Sequence, residues 1–193
     1  GRCVVGCLLL HAGESGAGIV MVETDGRGLD REMVERLLAH ADVVSTPLDA
    51  ARPGTYLSLK GADALAEVER GLEAILEGSA ASSGWPVVSV AFRVISENRD
   101  EVEEFFDRWY PRTPFVVVKG PSDRAGQIPS RALHPARTPG RIPCLSLVES
   151  LEVLPDGRAV LCENDFRARH VLGDLRASTV SEVWTGRALG EFR

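Results

Sequence analysis

The chain has 193 residues, 44% of them hydrophobic and 26% charged, which is typical of a folded globular protein with a buried core. Its 28 acidic and 22 basic residues give a formal net charge of −6, which argues against nucleic acid as a partner. No apolar run reaches the roughly eighteen residues of a membrane span, and four cysteines without an export signal favour a cytoplasmic location with metal sites or free thiols.

The first 120 residues predict four β-strands that alternate with helices. Pro47 is expected to end the second strand, because proline cannot donate to a sheet ladder, and Pro53 is expected to open a short helix. The polar residues 78–84 are expected to end the longest helix. The predicted strands are residues 18–24, 42–49, 87–95 and 115–119, and the predicted helices are residues 30–40, a short helix from 53, 62–76 and 100–110.

This alternation predicts an α/β fold with a parallel sheet, either doubly wound or part of a barrel, and with helices on one face only. Valines of the predicted strands are expected to form the core. They are Val20, Val22, Val44, Val88, Val90 and Val117. A parallel sheet of four strands leaves an edge bare, so self-association through that edge is expected.

Polar side chains close the predicted strands. Thr24 and Asp25 close the first strand, and Ser45 and Asp49 close the second. Ligands of parallel α/β sheets bind at the carboxyl ends of the strands, so these residues are candidates for a pocket rim. The same rim is expected to include Glu23, Glu97, Asn98 and Lys119. Alternatively, these polar residues cap helices and satisfy loops.

Cys144 and Cys162 flank a predicted β-hairpin. Apolar residues on both sides of the turn 155–158 predict two strands, with Gly157 at a position that needs a positive φ. The turn brings the chain back, so the two thiols are expected to share a metal that prefers sulfur, such as zinc or iron in a cluster. Buried apolar thiols are the alternative, since free cysteine is often buried.

The residues around this hairpin are predicted to be a linker and a helix. Residues 121–143 contain repeated proline and glycine and are interpreted as a linker. Residues 180–192 predict a terminal helix. Its expected core-packing residues are Val180, Val183, Trp184 and Leu189.

Two stretches resemble the radical S-adenosylmethionine (radical SAM) enzymes that carry a C-terminal SPASM domain. Residues 20–50, VMVETDGRGLDREMVERLLAHADVVSTPLDA, resemble the third and fourth strands of the family's barrel, which end in Thr-Asn-Gly and Ser-Leu-Asp-Ala. Cys144, Gly157 and Cys162 have the spacing with which the SPASM domain opens. Residues 172–193, LGDLRASTVSEVWTGRALGEFR, resemble the segment that follows it.

The resemblance implies a fold and a domain organisation. Residues 1–120 would form about four βα units of a partial TIM-like radical SAM barrel, in the α/β class. Residues 121–143 would be a linker, and residues 144–193 a truncated SPASM domain made of a small β-hairpin plus helix.

The resemblance also implies cofactors and a substrate class. Cys144 and Cys162 would hold an auxiliary 4Fe-4S cluster as part of an incomplete ligand set. In the intact family a reduced 4Fe-4S cluster cleaves S-adenosyl-L-methionine to a radical that abstracts a substrate hydrogen, and the substrate is often a peptide or a cofactor precursor. The residues here that would contact S-adenosyl-L-methionine are Thr24, Asp25, Ser45 and Asp49.

The chain departs from the family in the residues that perform radical chemistry. A CxxxCxxC loop is required, whereas Cys3 and Cys7 are followed by Leu10 at the third position. Pro47 replaces the family's Ser, and Asp25 replaces its Asn. A downstream Cys-x-x-Cys is also missing from this sequence. We therefore expect a fragment that is inactive by itself, with a non-catalytic peptide- or subunit-binding module as the alternative.

Overall fold

A computed structural model describes residues 11–12, 14–16, 18–82, 84–124, 126–133 and 144–193. The chain divides into two compact units between Pro121 and Ser122, and each unit contains its own β-sheet. Cys3, Cys7 and Leu10, which the sequence analysis compared with the CxxxCxxC loop, lie outside the described residues. Within the described ranges, no helix combines the length and the apolar character that crossing a bilayer requires.

The first unit is a four-stranded parallel sheet in the order β1-β2-β3-β4, connected by helices. This arrangement confirms the expected α/β class and the parallel sheet. The strands are β1 Met21–Glu23, β2 Val43–Pro47, β3 Val87–Arg93 and β4 Val116–Lys119. The helices are α1 Arg31–His40, α2 Pro53–Lys60, α3 Leu65–Ala81 and α4 Val102–Trp109, which is preceded by a 3-10 turn at Arg99–Glu101.

The core of this unit lies between the sheet and its helices. Consecutive parallel strands joined by right-handed crossovers place their helices on one face, and here α3 packs against β3 while α4 packs against β3 and β4. The buried side chains of this core include Val44, Val88, Val90, Phe92, Leu72, Ile75, Phe105 and Trp109.

The predicted valine core is correct for the central strands and wrong at one edge. Val20 and Val22 are half-buried and pack against the core. Val117 is 42% exposed, because it lies on the edge strand β4, where the next residue, Val118, is also 43% exposed. Met21 on the other edge strand is likewise exposed, so β1 is not the buried strand that its apolar sequence predicts.

Helix α3 runs past the predicted stop at residue 76. It continues through Gly78 to Ala81. A Cβ at Gly78 would lie 2.5 Å from Leu38 Cδ1, so this glycine lets α1 approach α3 closely instead of ending the helix.

The second unit is a three-stranded antiparallel sheet with short helices. The predicted hairpin is confirmed, and Gly157 has φ +88° at its turn. The strands are β5 Glu152–Val153, β6 Arg158–Val160 and β7 Val171–Asp174, and the helices are α5 Ser146–Glu149, α6 Val180–Trp184 and α7 Arg187–Gly190. Strand β7 pairs with β6 and was not predicted from the sequence.

The single terminal helix predicted for residues 180–192 is two short helices. Gly186 breaks it with an extended backbone, and a Cβ there would lie 2.8 Å from the carbonyl oxygen of Glu182. Val183 and Leu189 are buried as expected, whereas Val180 is exposed at 57%. Trp184 is half-buried, with the Arg193 guanidinium 4.3 Å from its ring centroid.

Candidate functional site

The carboxyl ends of β1 and β2 lie side by side. Glu23 pairs in register with Ser45, and the Thr24 N–H donates to the Ser45 carbonyl at 3.0 Å. The Thr24 hydroxyl accepts from the N–H of Gly26 at 3.1 Å. Three of the predicted rim residues are therefore brought together at one edge of the sheet.

Asp25 lies beside this edge on the surface. Its carboxylate accepts from the backbone N–H of Arg27 at 3.1 Å and from Arg27 Nε at 2.7 Å. The pair is about half exposed on both sides, so it organises the turn after β1 and contributes little to stability.

Asp49 is the buried centre of the polar cluster after β2. It is 6% exposed and has φ +60°, a left-handed conformation that Asp tolerates better than most residues. Its carboxylate accepts from the Arg93 backbone N–H at 2.8 Å, from Arg93 Nε at 3.1 Å and from Lys60 Nζ at 2.7 Å. Arg93 Nη2 also pairs with this carboxylate. One carboxylate is therefore shared by two cations.

The electrostatics of Asp49 follow from these contacts. Burial alone would raise the pKa of Asp49, but hydrogen bonds from Arg93 and Lys60 outweigh that effect and hold the pKa below its ordinary value of 3.8. The carboxylate is ionised at neutral pH and is committed to its partners. It is thus placed to fix the loop, while a cofactor-binding role for Asp49, Thr24, Asp25 and Ser45 stays a prediction.

Asn98 joins the loops that follow β2 and β3. It is fully buried, and its Nδ2 donates to the carbonyls of Asp49 at 2.8 Å and Arg93 at 3.0 Å. Its Oδ1 accepts from the N–H of Ile95 at 2.8 Å. Both the Nδ2 and the Oδ1 of the amide are hydrogen-bonded, so Asn98 links the loop after β2 to the loop after β3.

Glu101 belongs to the same cluster and was missed by sequence reasoning. It is 2% exposed and accepts from the backbone N–H groups of Ala51 at 2.8 Å and Arg52 at 3.0 Å, and from the Thr55 hydroxyl. These donors open α2, whose own N-cap, Arg52, has no side-chain acceptor. An arginine N-cap before Pro53 was the available signal that a distant carboxylate was needed.

Two cationic side chains lie on one face of the sheet at its carboxyl end. Arg93 and Lys119 are register partners on β3 and β4, so their side chains leave the sheet on the same face. Ala91 and Val117 are the pair before them on that face; Ala91 is buried and Val117 is exposed. Arg93 already pairs with the Asp49 carboxylate, so Lys119 is the cation at this position that is suited to an anionic group of a ligand.

The two cysteines lie on either side of the confirmed hairpin. Cys144 is exposed and its carbonyl accepts from Leu147 N–H at the start of α5, and Cys162 follows β6 and is half-buried. Both thiols are free. Within the described ranges, no three His, Cys, Asp or Glu side chains come together in a way that could hold a metal ion.

Residues 144–193 match the family model of the SPASM domain. That family is described as an iron-sulfur cluster-binding domain. The matched residues, called the SPASM segment below, begin at Cys144 and include Cys162.

The chain also has a relative in Treponema pallidum (strain Nichols), a protein described as "Uncharacterized protein". The two are 29% identical over 180 residues. This alignment covers 86% of the chain and 49% of the relative, so the chain spans about half of the relative's length.

The ligands that the SPASM segment presents suit an iron-sulfur cluster in type but not in number. Thiolates are the usual ligands of such clusters, and a four-iron cluster takes about four of them. The described residues supply two. Among the described residues, His170 does not join these cysteines in a group that could hold a metal ion. Its ring packs edge-on against the Phe192 ring, with the two ring centroids 5.3 Å apart.

The loop after Cys162 is organised by the buried Asp165. Its N–H donates to the Cys162 carbonyl at 2.9 Å, and its carboxylate accepts from the N–H groups of Arg169 at 2.9 Å and His170 at 2.8 Å. Burial would raise the pKa of Asp165, but these backbone hydrogen bonds outweigh it and lower the pKa. The loop after Cys162 is therefore held by backbone hydrogen bonds to an ionised carboxylate.

Proposed function

We propose that this chain is part of a radical SAM enzyme, carrying a portion of its barrel and of its auxiliary cluster domain, and that the enzyme modifies a peptide or a cofactor precursor in the cytoplasm. The observation that carries this proposal is the SPASM match at residues 144–193, which starts on Cys144 and contains Cys162. The chain by itself is proposed to be inactive.

The parallel sheet supports the proposal. Its strands follow one another in the order β1-β2-β3-β4, as in a run of βα units from a barrel. The carboxyl edge also carries Lys119, whose ammonium group is suited to a carboxylate such as that of S-adenosyl-L-methionine. The described thiols, Cys144 and Cys162, supply two of the about four ligands that a four-iron cluster takes.

The test uses the whole product of the gene, purified without oxygen and chemically reduced. We expect bound iron and sulfide, and formation of methionine and 5′-deoxyadenosine from S-adenosyl-L-methionine, measured by mass spectrometry. The double variant Cys144→Ser/Cys162→Ser should lose about four iron atoms per chain and keep 5′-deoxyadenosine formation, because the radical cluster has other ligands. An iron-loaded, reduced protein that leaves S-adenosyl-L-methionine intact would refute the proposal.

A second candidate function is a peptide- or subunit-binding module derived from that family. The observation that favours it is the absence of a complete metal site among the described residues. A colourless gene product whose peptide affinity is unchanged in Cys144→Ser/Cys162→Ser would support this function over the first.

We also propose that the chain self-associates through an edge of its parallel sheet. Strand β1 pairs with β2 on one side, and Met21 on β1 is 59% exposed. Sedimentation velocity over a range of concentrations should show dimers. Met21→Lys places a charge on the edge strand and should raise the dissociation constant of the dimer. A chain that stays monomeric at every concentration would exclude this contact.

A further inference from the structure

The segment that precedes the SPASM segment packs against the loop after Cys162. This segment, called the anchoring segment, consists of residues 122–124 and 126–128. Ser122 Oγ donates to Asn164 Oδ1 at 3.3 Å, Arg124 Nη1 donates to the Glu163 carbonyl at 3.3 Å, and Gln127 Nε2 donates to the Asn164 carbonyl at 2.8 Å. Its contacts thus fall on consecutive residues directly after Cys162.

The anchoring segment has its own internal structure. The Ile128 N–H donates to the Asp123 carbonyl at 3.1 Å, and the Gln127 N–H donates to the Arg124 carbonyl at 3.2 Å. Arg124 has φ +54°, and its N–H donates to Ser122 Oγ at 3.0 Å. Part of the predicted linker therefore folds as a turn that belongs to the second unit.

Gln127 is the central residue of this contact. Its Nε2 also lies 3.3 Å from Asp165 Oδ1, so one amide group bridges the Asn164 carbonyl and the Asp165 carboxylate. Its Oε1 is buried and has no donor among the described residues. The two acceptors fix the orientation of the amide, because turning it over would place Oε1 against a carbonyl and a carboxylate.

We propose that the anchoring segment positions the Cys162 thiol, and that Gln127 is the positioning residue that holds the loop carrying it. The contacts run from Gln127 to Asn164 and Asp165, and from the Asp165 N–H to the Cys162 carbonyl. Cys144 is held separately, at the start of α5. The working SPASM unit would then begin near Ser122, ahead of the matched residues 144–193. The role of Cys162 as a cluster ligand rests on the proposed function.

The test measures thiol reactivity in the metal-free 193-residue chain, so its outcome does not depend on a cluster. Gln127→Glu keeps the shape of the side chain and replaces the Nε2 donor with an oxygen that faces two acceptors. A half-buried thiol is alkylated when its loop opens, so loss of one such hydrogen bond should speed alkylation of Cys162 about fivefold or more. The rate at Cys144, read in the same sample by peptide mass spectrometry, should not change.

Two variants complete the design. Gln127→Met removes the donor without adding a charge, and it should raise the Cys162 rate by a smaller factor. Glu103→Gln makes the reverse exchange of carboxylate and amide at an exposed position on α4, distant in sequence from both cysteines, and it should leave both rates unchanged.

Two results would overturn the proposal. An unchanged Cys162-to-Cys144 rate ratio in both Gln127 variants would show that Gln127 does not hold the loop. A parallel rise at both cysteines, with loss of secondary structure by circular dichroism, would show a general contribution to folding in place of positioning. Iron binding by the whole gene product, measured separately, decides the proposed function and leaves this result standing.

Discussion

The Asp49 carboxylate holds both the main chain and the side chain of Arg93. The Arg93 N–H donates to Asp49 Oδ1 at 2.8 Å, and Arg93 Nε lies 3.1 Å from Oδ1 and 3.0 Å from Oδ2. The loop after β2 is thereby fixed to the end of β3. This relationship sets the geometry of the carboxyl edge on which any ligand of the sheet would lie.

Replacing Asp49 by Asn should lower the free energy of unfolding by about 2 kcal/mol. This loss is smaller than that expected on breaking a fully buried ion pair, because the Arg93 side chain is 38% exposed and water screens the pair. Asn keeps the volume and tolerates the positive φ, so the loss reports the charge together with the one acceptor oxygen that the amide NH2 replaces. Urea unfolding followed by circular dichroism measures it. The control Asp25→Asn removes an exposed pair and should change stability little; equal losses in both variants would contradict the prediction.

The lowered pKa of Asp49 predicts a pH dependence of stability. Its folded-state pKa lies below the ordinary 3.8, so its contribution is complete above the unfolded-state pKa and is lost as the pH falls through the folded-state value. Urea unfolding at a series of pH values between about 6 and 2 should therefore show a smaller acid loss in Asp49→Asn than in the parent chain. Identical acid profiles would show that Asp49 titrates normally in the folded chain.

Thr46→Val should stabilise the chain by about 1 kcal/mol. Thr46 is fully buried, and its hydroxyl has no hydrogen-bond partner among the described residues. Val has nearly the same shape and leaves no polar atom unpaired. Thr113→Val is the matched control, because the buried Thr113 hydroxyl donates to the Val88 carbonyl at 2.6 Å. That variant should lose about 1 to 2 kcal/mol, and thermal unfolding that ranks the two variants in the opposite order would refute the argument.

Gly173→Ala should destabilise the second unit by about 1 to 3 kcal/mol. A Cβ at position 173 would lie 2.7 Å from Val183 Cγ2, where β7 packs against α6. Gly190→Ala is the control, since a Cβ there meets no atom within 4 Å. Adding Val183→Ala to Gly173→Ala should recover part of the loss, because the two side chains compete for the same space. Strictly additive losses would argue against this clash.

Local patterns predicted the elements whose causes are local. Pro47 ends β2, Pro53 opens α2, and Gly157 takes the positive φ of the hairpin turn. Each of these follows from the conformational limits of one residue type. The order of strands and helices in the first unit was predictable for the same reason, since it depends on hydrophobic periodicity.

The features that were missed depend on partners that are distant in sequence. Gly78 looks like a helix stop until Leu38 is seen against it, and Val117 looks like core until β4 is found at the sheet edge. Glu101 and Gln127 act on residues about 50 and about 38 positions away. A sequence can indicate that such a partner is needed, as the Arg52 N-cap does for α2, but not where in the chain the partner lies. The polar contacts that build the candidate sites were therefore the least predictable part.

Glu101→Gln tests whether a distant carboxylate caps α2. The N–H groups of Ala51 and Arg52 share one carboxylate oxygen, and the Thr55 hydroxyl donates to the other. Gln keeps an oxygen for the two N–H groups, but it removes the negative charge from both hydrogen bonds and turns an amide N–H toward Thr55. We expect a loss of about 1 to 3 kcal/mol in urea unfolding and faster hydrogen exchange at those two amides. Glu103→Gln, an exposed position on α4, is the control and should change neither quantity. If Glu101→Gln lowers stability while exchange at Ala51 and Arg52 stays slow, the carboxylate stabilises the core through another contact and the capping role is wrong.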